Sequence, residues 1–112
     1  MRKDYSLMKK KQNQQFLYDI LEDVLKYAEM LSHSSSNQLI KLTINEELIP
    51  SLYTFKTFLE LENLMYPEVA ISLRSSIKAA SKIETINRET VFLLSKVKIL
   101  REETFRLKKT LQ

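Results

Sequence analysis

The sequence predicts an all-α protein: three long helices with a kinked central one, or a four-helix bundle if the chain breaks at Pro67. Three observations predict it. Apolar residues recur at intervals of three and four along most of the 112 residues. Glycine is absent, where average usage of about 7% would give about eight, so turns needing positive φ and glycine-rich phosphate loops are excluded and long elements are favoured. With 44% hydrophobic and 29% charged residues, a single domain around a buried core is expected over residues 1–112.

The first helix is expected from about Leu7 to Leu31, where Leu17, Ile20, Leu21, Val24, Tyr27, Ala28 and Leu31 form one apolar stripe. It stops in "SHSSSN", residues 32–37, whose short polar side chains compete for backbone hydrogen bonds. The alternation in "QLIKLTI", residues 38–44, suggests an irregular, strand-like bridge. Asn45, followed by Glu46 and Glu47, is expected to cap the next helix, with Pro50 in its first turn. Leu52, Phe55, Leu59, Tyr66, Ala70, Leu73, Ile77 and Ala80 then keep helical spacing, and further apolar residues on a second side make this element central. Pro67 either kinks it or opens a new helix with Glu68 at the second position.

The last helix has a strongly encoded start: Asn87 as cap, Glu89 near the positive end of the dipole, and Ile86 clasping Val91 as a hydrophobic staple. Beyond it Ile86, Thr90, Leu93, Val97, Leu100, Thr104, Leu107 and Leu111 alternate spacings of four and three as a heptad seam. That seam makes Leu93, Val97, Leu100, Leu107 and Leu111 a candidate interface with another helical chain, in a hetero- or homo-oligomer. Residues 101–112 are expected to protrude as a coiled-coil end.

The net charge of +4 is segregated. Residues 1–12 hold five bases and one acid, residues 13–70 three and nine, and residues 71–112 ten and four. Basic ends around an acidic middle either pair within the fold or offer a face to an acidic partner. No cysteine is present, no apolar run approaches the ~18 residues that span a bilayer, and the N-terminus lacks an apolar signal core. An intracellular, soluble protein of nucleus or cytoplasm, without a membrane partner, is the expectation. The single histidine, His33, lies four residues after Glu29, too few ligands for a metal site, and the pairs Glu22–Asp23, Glu46–Glu47 and Glu102–Glu103 diverge on a helix. The chain is therefore read as non-enzymatic, with no cofactor, metal or small-molecule substrate.

The stretch "ASKIETINRETVFLLSK", Ala80 to Lys96, resembles the junction between the central and last helices of histone-fold proteins, above all small centromere and Fanconi-associated members. Thr85, Ile86, Asn87, Glu89, Val91, Leu93 and Leu94 carry the likeness, and "LIPSLYTFKTFLELENL" looks like the start of that family's central helix. Ile83 and Thr90 stand where the family has a buried arginine–aspartate pair. Over about residues 14–100 the resemblance implies a handshake heterodimer with DNA held by its phosphates, for which Lys41, Lys78, Lys82 and Arg88 are the candidate contacts. The alternative function is a coiled-coil or four-helix-bundle scaffold subunit of a larger complex, without direct DNA binding.

Overall fold

A computed structural model describes the backbone of residues 2–111 and the side chains of residues 14–109. The basic side chains of Arg2, Lys3 and Lys9–Lys11, and that of Leu111, lie outside the described residues. Five α-helices occur among the described residues: α1 (Arg2–Ser34), α2 (Gln38–Thr43), α3 (Ile49–Glu60), α4 (Pro67–Ile86) and α5 (Val91–Leu111). A π-helical turn (Ile44–Leu48) links α2 to α3, and a 3-10 turn (Arg88–Thr90) leads into α5. Thr43 and Ile49, which flank the π turn, and Leu48, which leads from it into α3, all have right-handed helical dihedrals, so α2, the turn and α3 make one continuous rod. The rod and the three other helices form a four-helix bundle, in which α1 packs on α3 and α5, and α4 on α3 and α5. Its long dimension is 54 Å, about the length of a 33-residue helix such as α1.

Residues 38–44 are helical, not strand-like, and the helix starts at Asn37, not Asn45. The Asn37 Oδ1 accepts from the Leu39 and Ile40 amides at 2.9 and 3.1 Å, satisfying two of the free donors of the first turn. Burial of Ile40, Thr43 and Ile44 supplies the helical stripe, and Thr43 returns its hydroxyl to the Leu39 carbonyl at 2.8 Å. Asn45 instead accepts from the Ser32 hydroxyl at 3.1 Å, tying the end of α1 to the π turn.

The π turn answers Pro50. A proline has no amide hydrogen, and its ring clashes with the carbonyl four residues back. One residue earlier the ladder has already shifted to a wider register, Ile49 N–H donating to Ile44 O, and the rod passes Pro50 without breaking.

The chain does break before Pro67, and this decides between the two predicted architectures. Glu62 N–H donates to Leu59 O at 3.0 Å and Asn63 N–H to Phe58 O at 3.2 Å, a Schellman closure of α3 with Glu62 at φ 57°. Positive φ was excluded on the absence of glycine, yet Glu62 occupies the left-handed position that glycine usually fills. Tyr66 is extended, as the residue before a proline prefers, and Pro67 opens α4 where its missing amide costs nothing. Together with the helical 38–44 segment, this break gives the four-helix alternative in place of the strand-like bridge and the kinked central helix.

Phe55 is the largest fully buried side chain of the core, which also holds Leu17, Leu21, Leu52, Leu73 and Leu100. At one point where α3 meets α4, Ser51 and Ser76, the side chains are small. Ser51, Ser72 and Ser76 are all buried there, and each returns its hydroxyl to a carbonyl of its own helix. Thr104 does the same with Leu100 O at 2.7 Å. Among the described residues no buried side-chain polar atom lacks a partner, which allows polar side chains in this core without the cost of lost solvation.

Candidate interaction surface

The described residues of the proposed partner seam are turned inward. Leu93, Val97 and Leu100 are wholly buried and Leu107 nearly so, closed over by the chain's own α1 and α4. Burial of Thr104 and Leu107 carries the packing of α5 past residue 101, because α1 is long enough to run beside it.

The start of α5 follows its sequence signals in part. Asn87 Oδ1 accepts from the Glu89 amide at 3.1 Å, and Thr90 donates its hydroxyl to Asn87 O at 2.6 Å. Ile83 and Thr90 are both buried. Val91 stays half exposed, so the expected staple with Ile86 does not bury it.

Of the four candidate phosphate contacts, Lys78 and Lys82 stand one turn apart on the outer face of α4, in a row with Arg74. Arg88 is exposed beyond the helix end. Lys41 is not brought to this face. It sits on α2 two positions from both Leu39 and Thr43, which line a groove of about 370 Å³ with Glu47, Lys82, Thr85 and Ile86. Acids compensate part of the row: Lys82 Nζ pairs with Glu47 Oε1 at 2.9 Å, and Lys78 shares a shallow pocket with Glu46 and Glu47.

A different surface emerges on α1 and α5, which sequence spacing alone did not single out. Tyr27 and Phe92 meet edge to face with ring centroids 5.1 Å apart, joining the C-terminal part of α1 to the first turn of α5, and burial as far as Thr104 and Leu107 makes the two helices antiparallel neighbours. Around that contact Phe16 (48%), Met30 (57%), Phe92 (44%) and Ile99 (40%) remain exposed. Phe16 and Met30 are fourteen residues apart, four turns of α1, and Phe92 and Ile99 seven apart on α5, so each pair keeps to one side of its helix. The signal was available: both pairs fall off the core stripe while keeping its period. Lys96 Nζ lies 5.3 Å from the Phe92 centroid, and its stem shelters one side of the ring.

On the α1–α3 side, Lys56 Nζ lies 3.4 Å from Glu22 Oε1, and this hydrogen-bonded carboxylate raises the lysine pKa above its ordinary value. Burial, and then the charge of Glu60, pushes the Tyr18 hydroxyl up as well. Among the described residues no three His, Asp or Glu side chains converge as a metal site would need, and none of the helices is long and apolar enough to cross a membrane.

No family model matches the chain, and neither a curated protein nor a solved structure matches it.

Proposed function

We propose that this protein is a non-enzymatic interaction subunit of a larger assembly, a four-helix bundle that meets another helical chain through the outer face of α1 and α5. One observation carries this. The bundle closes its own heptad seam, yet leaves Phe16, Met30, Phe92 and Ile99 exposed around the Tyr27–Phe92 contact. Aromatic and methionine side chains grouped in this way are what protein interfaces bury, and a monomer gains nothing by holding them in water. A photo-crosslinking amino acid placed at Ile99 in cells tests the reading. It is expected to yield a covalent adduct with a protein. Adducts at a control position, Thr54 on the exposed side of α3, but none at Ile99 overturn it.

A second reading is favoured by the Arg74–Lys78–Lys82 row and by Arg88: contact with DNA phosphates, through point charges that position the duplex without reading bases. Affinity for duplex DNA should then fall steeply with salt, and should drop on Lys78→Glu. No mobility shift at ~50 mM salt eliminates this reading.

A further inference from the structure

We infer that the partner on the α1–α5 face is a second copy of this chain, related by a two-fold axis parallel to the two helices. This rests on the reading of that face as an interface, and it names the occupant.

The argument is the arrangement of charge about the apolar strip. Tyr27 and Phe92 mark the middle of the groove between the helices. On α1, Asp23 stands midway between Phe16 and Met30 on their side of the helix, with Asp19 one turn from it and Lys26 as a base near them; α5 carries Lys98, Arg106 and Lys109, with Glu102 as an acid among them. Arg106 is held by Glu103 at one turn's distance. About the Tyr27–Phe92 contact the left flank of the face, α1, is thus acidic and the right flank, α5, basic. A two-fold axis along the centre lays the left flank of each copy on the right flank of the other. An isologous interface requires that self-complementarity, and a face with one sign of charge on both flanks would refuse it.

Levels agree with this. From the Tyr27–Phe92 contact, equal rise along antiparallel helices puts Ile99 level with Ile20 and Lys98 level with Leu21, between Asp19 and Asp23. A two-fold axis parallel to the helices preserves levels, so Lys98 of one copy stands between Asp19 and Asp23 of the other. Size agrees as well. Two helices side by side, about 20 Å wide over the ~31 Å of α5, offer on the order of 600 Å² per copy, at the lower limit for a stable dimer. A reversible dimer is therefore expected.

Sedimentation equilibrium of the full chain between about 1 and 100 μM tests it, that range bracketing a dimer of such small area. The expected mass rises to twice the 13.3 kDa of one chain and no further. Ile99→Lys, at an exposed position, should weaken the dimer at least tenfold with an unchanged far-UV spectrum. Asp23→Lys and Lys98→Asp should each weaken it, and the two together should restore it. A chain that stays monomeric, a mass that grows past two copies, or a dimer indifferent to Ile99→Lys overturns the inference. So does a double charge exchange no better than its parts. A monomeric purified chain whose Ile99 crosslinker still captures a different protein in cells removes the second copy while leaving the interaction reading standing.

Discussion

The Ser76 hydroxyl lies 3.0 Å from the Ser51 hydroxyl in the buried seam between α3 and α4. Each oxygen is also within reach of a carbonyl of its own helix, Ser72 O at 2.8 Å and Glu47 O at 2.7 Å. The two helices approach closely because serine is small and self-satisfying there. Ser76→Ala should cost about 0.5–1.5 kcal/mol, the worth of one hydrogen bond. Ser76→Leu should cost about 1–3 kcal/mol by overpacking, read from the urea midpoint of each variant.

Adjacent residues on α5 should behave oppositely. Leu100 is wholly buried, whereas Ile99 is 40% exposed. Leu100→Ala should destabilise by about 2–5 kcal/mol through a core cavity. Ile99→Ala should leave folding within about 0.5 kcal/mol, as surface changes do, and show its effect in association. Equal losses of stability in thermal melts would contradict the orientation of α5.

Glu62 holds φ 57° in a left-handed conformation that costs a residue with a Cβ about 1–2 kcal/mol. Glycine relieves that cost while giving the unfolded chain back roughly 0.4–1 kcal/mol of freedom. Glu62→Gly should therefore stabilise the fold by about 0.5 kcal/mol, and a β-branched residue there should destabilise it. Calorimetry on the two variants distinguishes them by the sign of the Tm shift.

Two asparagines test where the second helix begins. Asn37→Ala removes an acceptor for two amides and should cost about 1 kcal/mol. Asn45→Ala removes one exposed tether to Ser32 and should cost less than about 0.5 kcal/mol. The reverse ranking in denaturant would restore Asn45 as the cap.

Stability should fall on the alkaline side. Lys56 is raised by its hydrogen bond and ion pair with Glu22, and Tyr18 by burial. Both groups hold their protons more tightly folded than unfolded. Their contribution is complete below the unfolded pKa values, near pH 10, and is lost as pH climbs through the folded ones. A Tm that falls above about pH 10 in wild type, and falls less in Glu22→Gln, would bear this out.

The four-helix form was legible because Pro67 and Glu68 satisfy the rules for a helix opening, and the core of α1 because Leu17, Leu21, Val24 and Ala28 repeat without interruption. Asn87 was legible for the same local reason. The helix at 38–43 was not. "QLIKLTI" alternates as well as it repeats, and the arbiter is a tertiary fact, the burial of Ile40 and Thr43 against α4. The left-handed Glu62 was hidden because a chain without glycine offers no marker for that position. The heptad seam of α5 reads identically whether its partner is a foreign helix or α1 of the same chain, so its period located Leu93, Val97 and Leu100 without saying what covers them.

The π turn at Ile44–Leu48 holds one residue more than an α-helical path would use. Deleting a residue there would turn everything before it by about 100°, one helical step. Leu39 would then take the inward station of Ile40, and Leu42 that of Thr43. A sequence with leucine at both places already fits the shorter path. The extra residue is what trades an isoleucine and a threonine into the interior and puts two leucines on the outside, so loss of one codon between 44 and 48 would alter the apolar relief of this end of the bundle more than any substitution there could.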